Sequence, residues 1–130
     1  MDRRAKLIAL NDELRTTFKG GRVQMTPSVY QLDARLRGRA LSVLAHYSKF
    51  DPESEHDWGT FIFAGFAFEW RIEYRGKDGS GRSPDPTDPE QTCRVLTLYT
   101  VDDVLARARL ARGESSDDPL ADDAGHRLCP

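Results

Sequence analysis

The sequence predicts an α+β fold, a small and mainly antiparallel sheet of three to four strands with two or three helices on one face. Three observations carry that reading. Phe66, Phe68, Trp70, Ile72 and Tyr74 alternate with Ala67, Glu69, Arg71 and Glu73, the two-residue period of a strand with one buried face. Leu7, Leu10, Leu14 and Phe18 recur at intervals of three and four, the period of an amphipathic helix. Pro84, Pro86 and Pro89, with Gly76, Gly79 and Gly81, exclude any regular element between Gly76 and Thr92.

Taken in order, the first helix is expected from Arg3 to Phe18 and stops at Gly20-Gly21. Arg22 to Met25 reads as a short strand. Thr26 then reads as an N-cap with Pro27 at the first helical position, where its missing N–H costs nothing. Asp33 opens a longer helix to about Lys49, with Leu36, Ala40, Leu44 and Tyr47 as its stripe and Leu41 and Val43 beside it. Trp58 to Phe63 is a strand that reverses at Ala64-Gly65 into the alternating one. The implied pairs are Phe63 with Phe66, Phe61 with Phe68, Gly59 with Trp70 and Trp58 with Arg71. His56 meets Glu73 if the ladder runs that far. A slip of one residue would scatter the aromatics over both faces. Arg94 to Thr100 is a further, mostly buried strand, and Thr100 with Asp103 opens a last helix to about Arg112. Residues 1–112 thus form one domain, and 113–130, with five acids and few large apolar residues, read as a disordered acidic tail.

A chain of 130 residues buries roughly two-thirds of its unfolded surface, enough for one core, and this excludes a multidomain enzyme. No stretch approaches the ~20 apolar residues of a membrane span, and Asn11, Asp12 and Glu13 interrupt the first apolar run. Cys93 and Cys129 have no CxxC neighbour and read as reduced thiols, so a cytoplasmic protein without membrane contact is expected. The net charge of -2 hides a division: residues 1–50 hold ten Lys or Arg against four acids, and residues 51–130 hold nine against seventeen. Such asymmetry suits steering of a charged partner, or mutual neutralisation within the fold.

The acidic half contains the constellation most suited to chemistry. Asp51, Glu53, Glu55, His56 and Asp57 crowd the approach to Trp58, and the hairpin returns Glu73 and Tyr74 to that same end. The proline-rich loop brings Asp78, Asp85 and Asp88. The residues singled out for binding are therefore Glu55, His56, Asp57, Trp58, Glu73, Asp85 and Asp88. His56, Asp57 and Asp85 form the alternative ligand set for a divalent cation, since imidazole and carboxylate together suit zinc, manganese or iron. Against this stands the plain structural reading, in which Asp51-Pro52 starts a turn, His56 or Asp57 bonds nearby backbone and the other acids are solvated. No HExxH, P-loop or GxSxG motif accompanies the cluster. Arg3, Arg4, Lys6, Arg15, Lys19, Arg22, Arg35, Arg37 and Arg39 allow phosphate binding but read better as solvated helix faces. Trp58 is placed to form a cation–π pair with Arg71.

Leu10-Asn11-Asp12 with Leu14-Arg15-Thr16-Thr17-Phe18, Gly20-Gly21-Arg22-Val23 with Thr26, Glu55-His56-Asp57-Trp58-Gly59, Trp70-Arg71-Ile72 with Tyr74, Ser83 with Asp85-Pro86 and Asp88-Pro89, and Thr92 with Arg94-Val95-Leu96-Thr97 follow one another in order. In content and spacing this resembles a small bacterial domain family of unknown function, over residues 7 to 100. The resemblance implies a stand-alone chain often carried by mobile elements and supplies no activity. Arg75 stands where that family tends to have an acid, and the segment before Glu55 is shorter. The expected function is a non-catalytic binding or regulatory protein, an inhibitor or accessory factor of a mobile element whose acidic end engages a basic protein surface without a cofactor. The alternatives are a metal-dependent hydrolase using His56, Asp57, Glu55 and Asp85, and nucleic-acid binding through the basic N-terminal helices.

Overall fold

The computed structural model describes residues 2–102. Asp2 accepts the Ala5 N–H at 2.7 Å and so opens helix α1, Arg3–Thr17. Phe18 closes it in the left-handed conformation, φ 59°, with its N–H on the Leu14 carbonyl. The helix is thus one residue shorter than expected, and Phe18 is 38% exposed instead of completing the apolar stripe. The buried face is Leu7, Asn11, Leu14 and Arg15.

Strand β1, Arg22–Met25, and the single-turn helix α2, Pro27–Tyr30, lie where the sequence places them, although Thr26 makes no side-chain cap bond. Asp33 caps helix α3, Ala34–Ala45, through the N–H groups of Arg35 and Leu36. This helix ends four residues before Lys49. His46 leaves helical geometry with its ring Nδ1 2.9 Å from the Ser42 carbonyl, and the chain turns so that Tyr47 and Phe50 reach the sheet. Their rings pack edge-on to Trp70 at 5.4 and 6.3 Å. Leaving the helix packs two partly buried aromatics against the core that a continuing helix would carry away from it.

Strands β2, Trp58–Phe63, and β3, Phe66–Gly76, pair antiparallel in the expected register, including Phe61 with Phe68 and Gly59 with Trp70. Ala64 and Gly65 have φ of 53° and 82°, the type I′ pattern that matches strand twist. An L-residue in that region costs about 1–2 kcal/mol. Ala64→Gly is expected to raise stability by about 1 kcal/mol in thermal unfolding. An unchanged or lowered midpoint contradicts the turn assignment. Gly59 has no such freedom to change, because a Cβ there would stand 2.6 Å from both Trp70 Nε1 and the Tyr47 ring.

Strand β4, Thr92–Thr100, completes a sheet of order β1-β4-β3-β2. β4 is antiparallel to β3 but parallel to β1, so the sheet is mixed, with two of its three pairings antiparallel. Leu14, Val29, Ala40 and Leu44 from the three helices meet Phe68, Trp70, Ile72, Leu96 and Leu98 on one face, the expected α+β layering. Paired strand residues share a face, so Trp58, Arg71, Glu73 and Val95 belong to the opposite one. β4 is buried on both faces. Its Cys93 is fully buried and disulfide-bonded, which corrects the reading of that residue as a reduced thiol and removes that argument for a cytoplasmic location, while Cys129 lies outside the described residues. Arg71 Nε donates to Glu69 at 2.7 Å, so the expected Trp58–Arg71 cation–π pair gives way to a charge pair along β3. Val101 and Asp102 are helical, while the remainder of the expected last helix and the 113–130 tail lie outside the described residues. No described helix is long and apolar enough to cross a membrane.

Candidate functional site

Asn11 and Arg94, both essentially without solvent exposure, organise the end of the sheet where β3 leaves and β4 begins. Arg94 Nε donates to Asn11 Oδ1 at 2.9 Å, and its other arm donates to the Pro86 carbonyl. The Asn11 amide donates to the Tyr74 hydroxyl at 2.8 Å and to the Glu55 carbonyl at 3.0 Å. Tyr74 in turn donates to Asp57 Oδ2 at 3.3 Å, and the Arg94 guanidinium lies 5.3 Å from the Tyr74 ring centre. Burial above all drives the Tyr74 hydroxyl pKa upward, so it stays protonated and serves as a donor. Burial also pulls the Arg94 pKa down. One helix residue and one strand residue thereby tie the segment before β2 and the proline loop to α1.

His56 forms a second knot beside the first. It takes φ 59°, strain on the order of 1 kcal/mol for a side chain with a Cβ. That turn swings the ring away from Glu73 and onto α1. Nδ1 lies 2.9 Å from Asp12 Oδ1, and the imidazole stacks on Phe50 at 3.7 Å. Arg15 donates to the same Asp12 oxygen at 2.8 Å and stands over Phe50 and Trp70. The expected His56–Glu73 opposition is therefore absent. Glu73 pairs with Arg75, and the ladder ends with the Ile72 N–H on the Asp57 carbonyl at 2.8 Å. Among the described residues, Arg15 Nε and Trp70 Nε1 are buried polar atoms without a hydrogen-bond partner. The guanidinium faces aromatic rings, and the indole N–H lies beside Tyr47.

The loop acids are differently disposed. Asp78, Asp85 and Asp88 each accept the backbone N–H two residues on, from Ser80, Thr87 and Glu90, in Asx turns. The Ser80 backbone and hydroxyl, the Thr87 hydroxyl and backbone, and the Gln91 amide with the Glu90 backbone hold these carboxyls below their ordinary value of 3.8. Carboxyls with depressed folded-state values stabilise the loop in full above the ordinary value, and the contribution is lost as the pH falls below it and through their own lower values. Acidification from about pH 4 to about pH 2 should therefore strip exchange protection from the Ser80, Thr87 and Glu90 amides. The triple variant Asp78→Asn, Asp85→Asn, Asp88→Asn should show no such step. A step that persists in the variant contradicts the assignment.

The sequence-predicted residues fall into three groups. Glu55, through its backbone, and Asp57 join the Asn11–Arg94 network, and His56 joins the part-buried knot on Asp12 beside it. Asp85 and Asp88 lie on the loop that Arg94 fastens to the same end, with Arg3 3.7 Å from Asp85. Trp58 and Glu73 project from the face away from the helices. Among the described residues, no three or more His, Cys, Asp or Glu side chains are grouped to hold a metal ion. The basic residues of α1 are mostly engaged within the molecule: Arg4 donates to the Pro52 and Ser54 carbonyls, Arg15 is buried, and Arg3 and Lys6 face the loop acids. Asn11, Asp12 and Arg94 were missing from the expected site. The signals lay in phase: Asn11 falls between Leu7 and Leu14 on one helix face, and Arg94 alternates with Leu96 and Leu98.

These features define an α+β domain whose motif residues meet at one end of a mixed four-stranded sheet. Residues 25–103 match the family described as "Protein of unknown function (DUF3768)", and the chain belongs to that family. The match takes in α2, α3, β2, β3 and β4 with His56, Asp57 and Arg94, and reaches only Met25 of β1, while α1, which supplies Asn11 and Asp12, precedes it. No match was found among curated proteins or among solved structures.

Proposed function

We propose that the protein is a non-catalytic binding module, an inhibitor or accessory factor carried by a mobile element, which presents the acidic end of its sheet to a basic protein surface. The observation that carries this reading is the contrast between two sets of polar groups at that end. Asp57, Tyr74, Asn11 and Arg94 are occupied with one another and His56 with Asp12, whereas Asp78, Asp85 and Asp88 hold solvent-facing charges on preformed turns. Preformed carboxylates lose little entropy on docking. The Arg3–Asp85 pair is exposed on both sides, and such pairs contribute at most about 1 kcal/mol, so an incoming cation displaces it easily.

The Asp78→Asn, Asp85→Asn, Asp88→Asn variant keeps the oxygen that caps each turn and removes three charges. Affinity capture from a bacterial host lysate should retain one stoichiometric protein partner on wild type at low salt, and lose it on the variant and at high salt. Equal capture by the variant, or no stoichiometric partner for either, contradicts the reading.

A second reading, a metal-dependent hydrolase using His56 and Asp57, draws on the orientation of one imidazole. Asp12 holds its Nδ1 while the ring keeps about a quarter of its surface open, 24% for the side chain. Stoichiometric zinc, manganese or iron in the purified protein that disappears in His56→Ala selects this reading, and metal-free protein rejects it.

A further inference from the structure

We infer that the outer edge of β2 pairs with the same edge of a second copy of this chain, joining two four-stranded sheets into one. The backbone gives the first argument. The Asp57 carbonyl points inward to Ile72, and Phe63 with Phe66 closes the type I′ turn, so the odd-numbered residues of β2 address β3. Trp58, Thr60 and Ile62 therefore turn their N–H and C=O groups outward, where no strand among the described residues meets them. Their side chains lie on the face away from the helices, with Trp58 51% and Ile62 79% exposed.

Soluble proteins guard such edges with lysine, proline, bulges or very short strands. Trp58–Phe63 has six residues, carries no charge and no proline, and pairs with β3 without a bulge. A second copy fits because the strand complements itself in one register. A two-fold axis at Thr60 places Thr60 opposite its counterpart, Trp58 opposite Ile62 of the second copy, and Ile62 opposite Trp58 of the second copy. All are residues with outward backbone groups, as antiparallel pairing requires. The two most exposed apolar side chains of the strand then cover each other twice.

The charge distribution selects the same orientation. Asp51, Glu53, Glu55 and Asp57 lead into β2, whereas Phe63 to Phe68 carries no charge. Antiparallel pairing lays each acidic leader beside the uncharged turn of the other copy. A parallel pairing would set the two acidic leaders side by side, which like-charge repulsion disfavours. A closed two-fold dimer is also the commonest symmetric assembly. The loop acids proposed above for partner binding take no part, so either proposal stands without the other.

Sedimentation velocity of the full chain over a concentration series tests this. The mass should rise from 14.7 kDa toward twice that value. Trp58→Glu and Ile62→Lys change exposed positions, and each should hold the mass at the monomer value with an unchanged circular dichroism spectrum. The double variant sets opposite charges across the axis at both pairs and should restore the dimer. In wild type the Trp58, Thr60 and Ile62 amides should exchange more slowly as concentration rises. A mass fixed at 14.7 kDa at every concentration, a dimer that survives Ile62→Lys, or a double variant that stays monomeric overturns the inference.

Discussion

Arg94→Met is expected to lower stability by about 3–5 kcal/mol, with a drop in the thermal midpoint of roughly 10–20 °C. Arg94 is 2% exposed and sits on the core face of β4, in line with Leu96 and Leu98. Methionine restores much of the volume but no donor. Asn11 Oδ1 and the Pro86 carbonyl each lose their partner, and a buried acceptor left unpaired costs about 1–3 kcal/mol. The contact with the Tyr74 ring is lost as well. Arg94→Lys should recover only part of the loss, since one ammonium cannot reproduce a planar fork that reaches two acceptors and lies over a ring. Arg35→Met, at an exposed position of α3, is the control and should stay within about 0.5 kcal/mol of wild type. Urea unfolding of the three variants measures these differences, and an Arg94→Met loss below about 1 kcal/mol would contradict the assigned role.

Trp70→Ala should cost about 3–5 kcal/mol and should also loosen His56. Trp70 is fully buried between the helices and the sheet, and Tyr47 and Phe50 meet it edge-on. Arg15 lies over both Trp70 and Phe50, and Phe50 is the ring on which His56 stacks. Removing the indole leaves a cavity under Phe50 and takes away one of the two rings that face Arg15. The His56 imidazole then loses its fixed stacking partner. In addition to the stability loss, the His56 ring signals in an NMR spectrum should move toward those of a solvated histidine. A variant destabilised by that amount with unshifted His56 signals would separate the core from the site and contradict the linkage described here.

The strands were legible because a period of two over β3 leaves only one register that puts Phe61, Phe63, Phe66, Phe68 and Trp70 on one side. Helix starts were legible at Asp33 and Pro27, where cap chemistry is local. The end of α3 was not, because Tyr47 continues the helical stripe while its burial against Trp70 depends on the tertiary fold. Partner choice within the site was hidden for the same reason. His56 sits in register with Glu73 on paper, yet its left-handed backbone sends the ring 44 residues back to Asp12. Asn11 and Arg94 were not singled out as site residues, although their helical and alternating phases carried the signal. Polar residues in phase with apolar ones mark buried hydrogen bonds as readily as they mark exposed gaps.

The central claim is that Asn11 fastens two distant segments to α1 at once. Hydrogen exchange on Asn11→Ala tests it directly. Residues 51–57 and the 83–88 stretch of the loop should lose protection together, since Asn11 holds Glu55 directly and Pro86 through Arg94. The inner amides that join β2 to β3 should remain protected. Loss of protection in one segment alone, or in neither, would contradict the account.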